Sequence, residues 1–234
     1  MQISPSIRFL QAANAPLNLV IAGNNDFTMD IPIFQKKVAE AQPLDPDRVQ
    51  QAYGSYGEAR RLFGDGKENG IVFLDEDHGH DFQMNNADVV ITHGPPKGIM
   101  HYTHSGQRAG CPYLFKAVAQ AKPLMHCFGH IHEGWGAKLI KWRQKTAKEP
   151  SHFTDIDNEN SVAVSRLLVL KRDYTGYATT SHCSGDHRPL KRRSETLFIN
   201  ASIEGSVELR TQPPWVVSIE LAAATREAMP SSLI

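Results

Sequence analysis

Three short apolar runs, each closed at once by asparagine, glycine, proline or histidine, constrain this chain more than any other feature. They are Leu17-Asn18-Leu19-Val20-Ile21-Ala22 before Gly23-Asn24-Asn25-Asp26, Asp88-Val89-Val90-Ile91-Thr92 before His93-Gly94-Pro95-Pro96, and Leu124-Met125-His126-Cys127-Phe128 before Gly129-His130-Ile131-His132. Short runs rich in β-branched residues and ended by turn formers read as buried strands. In α/β sheets ligands gather beyond the carboxyl ends of such strands. Here every one of the three ends carries Asn or His.

Helices are expected between them. Asp45-Pro46 makes an N-cap and first turn, followed at helical spacing by Val49, Ala52, Tyr53, Ala59, Leu62 and Phe63, with a break expected at Gly54 and Gly57. Cys111-Pro112 opens a second helix carrying Leu114, Phe115, Val118 and Ala121, and Pro123 ends it. Strand, helix and strand over residues 88 to 128 then form a βαβ unit. Beyond Trp135 the chain turns basic from Lys138 to Lys148, is polar to Asn160 and apolar over residues 161 to 172. Residues 173 to 195 read as a loop, and strands follow at Thr196–Ala201 and Trp215–Leu221.

Composition narrows the partners. A chain of 234 residues with 41% apolar and 21% charged residues is an ordinary globular length, so one domain over 1–234 is expected. The formal net charge is +0, so no overall field draws it to nucleic acid or to a membrane, and any phosphate recognition must be local. Cys111, Cys127 and Cys183 lack C-x-x-C spacing, and no leader or anchor is read at the start, which together predict a reducing, cytoplasmic setting.

The chemistry lies at the strand ends. Two histidines at i and i+2 share a face when the backbone is extended, and imidazole is a common ligand of divalent transition metals. Asn24 offers a carbonyl oxygen and His93 a third imidazole. Gly-Asn, then Thr92-His93-Gly94-Pro95-Pro96, then Phe128-Gly129-His130-Ile131-His132-Glu133-Gly134, in that order, resemble the calcineurin-like metallophosphoesterases, in particular their small eukaryotic branch. Phe198-Ile199-Asn200-Ala201-Ser202 and Pro213-Pro214-Trp215-Val216-Val217 are similar to that branch's closing strands. The resemblance covers about residues 17 to 136 and 196 to 221, with 138–195 as an insertion. It implies an α/β fold of the α+β sandwich type: two packed mixed sheets flanked by helices. It implies metal-dependent hydrolysis of a phosphomonoester or phosphodiester, the substrate being a small phosphorylated molecule such as a nucleotide. Two divalent ions (Mn, Fe, Zn or Mg) would be held, with Asn24, His93 and His130 on one and His132 on the other. No nucleic-acid or membrane partner is expected.

The sequence departs from the family pattern in two places. Nothing before residue 17 supplies the family's Asp-x-His or Gly-Asp-x-x-Asp, so the fold is expected to be incomplete at its N-terminus. The family's Gly-Asn-His reads Gly23-Asn24-Asn25, and Asn25, at the catalytic histidine's position, cannot transfer a proton near neutral pH. A catalytically impaired remnant, or a truncated reading, is therefore the alternative. Asp75-Glu76-Asp77-His78-Gly79-His80-Asp81 and His182-Cys183-Ser184-Gly185-Asp186-His187 are rich in ligand types but out of the family's order, and read as solvated turns. Lys138–Lys148 and Lys191-Arg192-Arg193 read as solvated faces, His101 and His104 as loop residues, and Asn200 as the residue that fixes a turn near the site.

Overall fold

The computed structural model describes residues 5–12, 15–41, 43–64, 71–73, 82, 84, 86–166, 176–203 and 211–223. The chain divides into two compact units, Met1–Gly79 and His80–Ile234.

The first unit is mostly helical, with α1 (Pro5–Ala12), α2 (Ile31–Glu40), α3 (Pro46–Tyr53) and α4 (Glu58–Gly64), and strands β1 (Asn18–Val20) and β2 (Ile71–Phe73) paired in parallel. Asp45 caps α3 as expected, accepting from the Asp47 amide, and Gly54 at φ +76° ends it. α2 begins the same way: the Asp30 side chain accepts from the Ile33 amide and a proline sits in the first turn. Phe34 is fully buried, with Tyr53 and Tyr56 set edge-on against it.

The second unit carries a five-stranded mixed sheet, giving the α/β class expected. Its strands are β3 (Val89–Ile91), β4 (Met125–Phe128), β5 (Gly136–Trp142), β6 (Ile156–Arg166) and β8 (Glu195–Asn200), in the spatial order β3-β4-β8-β5-β6. β3, β4 and β8 run parallel, while β5 is antiparallel to β8 and β6. Helix α5 (Pro112–Ala121) joins β3 to β4 and completes the βαβ unit. Its first turn is closed by the Cys111 sulfur, which accepts from the Leu114 amide, and by Pro112. Leu114, Phe115, Val118 and Ala119 make one buried stripe.

That stripe packs on the sheet face that presents Phe128, Ile140, Trp142 and Phe198. The opposite face, with Ala137, Leu139, Leu197 and Ile199, is covered by Trp215, Val217 and Ile219. The first two belong to β9 (Trp215–Ser218), which pairs in parallel with β7 (Ala178–Ser181) in a small second sheet. Covered on both faces, β8 buries five consecutive residues, Thr196 to Asn200. Each large apolar side chain buried there contributes about 1.5–3 kcal/mol.

Two stretches depart from expectation. Residues 173 to 195, expected as a loop, contain β7, whose Ala-Thr-Thr-Ser sequence has no apolar alternation to reveal it. The basic run from Lys138 begins inside β5, where Ala137, Leu139, Ile140 and Trp142 are buried, and residues 156–166 form β6 beside it in the main sheet. The apolar run 161 to 172 is strand to Arg166, and its remainder lies outside the described residues, as do Asp75 to Asp81.

Candidate metal-ligating site

The parallel pairing of β3 with β4 continues beyond both strands. The Thr92 amide donates to Cys127 O at 3.0 Å and the Gly129 amide to His93 O at 2.9 Å. His93 and Gly129-His130 are thereby set side by side at the carboxyl ends of neighbouring strands. The two imidazole rings lie 4.7 Å apart between centroids, tilted by 60°, His93 half-buried and His130 exposed.

His130 has φ +67°, and the Ile131 amide donates back to Gly129 O at 2.8 Å. A bond from i+2 to i around a residue of positive φ is a γ-turn of the strained kind, which costs of order 1–3 kcal/mol. The chain is therefore not extended at the histidine pair. His132 instead opens a single 3-10 turn, His132–Gly134, so the alternation that would put residues 130 and 132 on one face does not operate.

Buried polar groups hold this turn. Asn200, fully buried at the end of β8, donates from Nδ2 to Ile131 O at 2.8 Å. Its Oδ1 accepts from the Ser202 amide at 3.1 Å and the Ser202 hydroxyl at 2.7 Å. Gln212 donates from Nε2 to His132 O at 2.9 Å, and Glu133 accepts from the His104 amide at 2.8 Å. A Cβ added at Gly134 would lie 2.2 Å from Met100 O, so only glycine fits there. Trp135 stacks on Trp215 at 5.0 Å and donates to Pro213 O. Asn200 thus fixes the turn as its place in the sequence suggested, and Trp135 packs beneath the loop.

The remaining candidates are each held by local contacts. Asn24 and Asn25 belong to the first unit, exposed on a turn closed by the Asp26 amide on Gly23 O and by the Asp26 carboxylate on the Gly23 amide. The Asn24 amide also donates to Asn25 Oδ1 at 3.3 Å. In the 182–187 loop the Asp186 carboxylate binds the Cys183 amide and the Ser181 hydroxyl, while His182 is buried between Thr180 Oγ1 and Arg188 O. His101 is buried and His104 exposed.

One structural neighbour of the pair escaped the sequence. His126, fully buried in β4, shares its Nε2 with Thr92 Oγ1 at 2.9 Å, and that hydroxyl donates to Gly94 O at 2.8 Å. The hydroxyl has one proton and gives it to Gly94, so Nε2 must be the donor and Nδ1 the bare nitrogen. Nδ1 is buried without a partner, and desolvation pushes the imidazole down to about 3. A neutral histidine therefore braces the turn that carries His93. Its signal was the lone polar side chain in an otherwise apolar run.

Protein ligand sets for a divalent ion usually number three or four. Among the described residues no group of three His, Cys, Asp or Glu side chains is placed to hold one. His93 and His130 supply two imidazoles in a single place, and two imidazoles do not by themselves fit the two-ion centre the resemblance implies. The three cysteines are unpaired, and no described helix is long and apolar enough to cross a membrane.

No protein-family profile matches the chain. It is 47% identical over 52 residues to human metallophosphoesterase domain-containing protein 1, covering 21% of this chain and 16% of that protein. A UPF0046 protein of Caenorhabditis elegans is 48% identical over 51 residues, covering 21% of this chain and 13% of that protein. A protein of Emericella nidulans named probable rhamnogalacturonate lyase C is 39% identical over 59 residues, 24% of this chain but 5% of that protein. In each case the alignment spans a small fraction of the relative's length.

Proposed function

We propose that this chain, which is related to metallophosphoesterase-domain proteins, carries the histidine-bearing part of a metal-dependent phosphoesterase site. The reaction would be hydrolysis of a phosphomonoester or phosphodiester bond in a small molecule, nucleotides included. The observation that supports this is the His93–His130 ring pair, aligned by strand pairing and held by a strained turn that Asn200 and Gln212 brace from outside. Strained backbone at a strand's carboxyl end is typical of functional sites. His93, His130 and His132 are the proposed ligands in the second unit; the parts of Asn24 and Asn25 rest on the sequence resemblance. When bound, divalent ions would supply Lewis acidity and an activated water. The chain's own contribution is to aim the imidazoles: Thr92 and His126 brace the His93 turn, and Asn200 braces the His130 turn.

A second reading, a protein of the same descent that binds without hydrolysing, is supported by the two-imidazole geometry and by Asn25. One experiment separates them. The full chain with excess Mn²⁺ or Zn²⁺ is assayed on an aryl phosphate and a bis-aryl phosphodiester, beside calorimetric metal titration. Turnover above that of His130→Ala supports hydrolysis and contradicts the binding-only reading, while metal bound without such turnover supports the binding-only reading. Turnover no greater than that of the variant would remove the catalytic assignment.

A further inference from the structure

We propose that the cleft between α2 and α3 is a binding site for a small aromatic anion, a flat ring system that carries one negatively charged group. The cleft lies wholly within the Met1–Gly79 unit. The proposal goes beyond the hydrolytic reading and needs neither a metal nor the histidine pair.

The cleft exists because α3 is only partly packed on α2. The sequence of α3 places Val49, Ala52 and Tyr53 at the i, i+3, i+4 spacing of a face that packs. Yet no residue of the helix is buried: Val49 is half-buried, Ala52 exposed and Tyr53 51% exposed. Rings make the contact near its end. The Tyr53 ring lies 6.2 Å from Phe34 and 5.4 Å from Phe27 between centroids, and those two are 5.6 Å apart. Beside these rings Val38, Leu44 and Val49 border an open space of about 770 Å³, and Phe34, 1% exposed, forms part of its wall. Small-molecule sites occupy about 300–1,000 Å³ and are mostly apolar, with a few polar groups at fixed points.

Rings and charge together select the guest. Three aromatic side chains on one wall favour an aromatic ligand, because edge-to-face and offset ring contacts add to simple burial. Lys37, Glu40, Asp45 and Arg48 are the charged side chains that line the cleft. Glu40 pairs with Lys36, and Asp45 pairs with Arg48 while accepting from the Asp47 amide. Lys37 has no carboxylate partner among the described residues, and its ammonium sits 5.3 Å from the centroid of the Phe27 ring. The one unmatched charge of the cleft is thus a cation, held at the aromatic wall. A guest that is flat and apolar at one end and anionic at the other complements both features.

The test is an NMR titration of the isotope-labelled full chain in EDTA, which keeps its outcome separate from any metal-dependent activity. The probe is naphthalenesulfonate, run beside the neutral naphthyl methyl sulfone. The sulfonate should bind with a Kd on the order of 0.1–1 mM and shift amides of α2, α3 and the link between them. The sulfone should bind about three- to tenfold more weakly, and Lys37→Gln should lower the sulfonate to the sulfone's affinity while leaving the sulfone unchanged. Val49→Trp, which fills the cleft, should abolish both. Ala52→Gln, at an exposed position on the wall, should weaken both without disturbing a packed residue. Shifts centred elsewhere in the chain, none at millimolar probe, or sulfonate binding indifferent to Lys37→Gln would overturn the proposal. Shifts of the same amides that grow with protein concentration alone would give the cleft to a second copy of the chain and overturn the assignment to a small anion.

Discussion

Asn200→Asp should make the stability of the His80–Ile234 unit depend on pH in a way the unaltered chain's does not. Asn200 is fully buried, donates one hydrogen bond to Ile131 O at 2.8 Å, and accepts two from Ser202 at 3.1 and 2.7 Å. The substitution keeps the volume and the acceptor, and removes only the donor. Ionised, the new side chain sets a charged oxygen against the Ile131 carbonyl; protonated, it regains an O–H that can donate there. Burial without a cation disfavours the ionised form, so its folded pKa rises above the unfolded value of about 3.9. The sign follows from linkage. The protonated side chain's stabilisation is fully present below about pH 4 and is lost as pH climbs through the raised folded value. Each unit of the rise removes about 1.4 kcal/mol, so a rise of two to three units removes about 3–4 kcal/mol by pH 7.5. That is comparable to orphaning one or two buried groups at about 1–3 kcal/mol each. Urea unfolding at pH 4.5 and 7.5, followed by tryptophan fluorescence, reads the difference from the unaltered chain. Asn200→Ala, which deletes the same bonds without a titrating group, should be destabilised alike at both pH values. A deficit for Asn200→Asp that is equal at the two pH values, or below about 1 kcal/mol at both, would refute the role given to this residue.

Other outcomes follow from the same geometry. Gly134→Ala forces a Cβ to within 2.2 Å of Met100 O and should cost about 1–3 kcal/mol, shifting the urea midpoint, while Gly185→Ala, into open space, should not. His126 is pushed down to about 3, so between pH 6.5 and 3 the unfolded chain takes up a proton that the folded one refuses. That erodes stability by up to about 1.4 kcal/mol per pH unit as pH falls. His126→Phe should flatten this acid limb when half-unfolding pH is measured at fixed urea, and an unchanged limb would place the titration on another group.

The elements legible in the sequence were those whose signals are local. Asp45-Pro46 and Cys111-Pro112 announce their helices because capping and proline placement depend on a few neighbouring residues. Asp30 with Pro32 carried the same signal for α2 and passed unread. β4 and β8 show as apolar runs because layers cover them on both sides. β7 stays hidden because its partner β9 lies far along the chain and its own residues are small and polar. The lysines of β5 drew attention away from the four buried side chains beside them. At the site, the order of strand ends was enough to bring His93 near His130. The γ-turn was not legible, since what sustains it comes from Asn200, some seventy positions on, and from His93 on the adjoining strand.

The place of β8 bears on how the molecule comes into being. It is made after β3 to β6, yet it lies between β4 and β5, and the Thr196 hydroxyl closes on Pro123 O across 73 residues of chain. During synthesis, β4 and β5 must both wait with open edges until residue 200 has left the ribosome. Pairing between such distant segments is intrinsically slow, and unpaired edges in a waiting intermediate invite association with other chains. A nascent chain halted before Glu195 would therefore hold two half-sheets with nothing between them. Its success in cells would be governed less by final stability than by how long that central gap stays open.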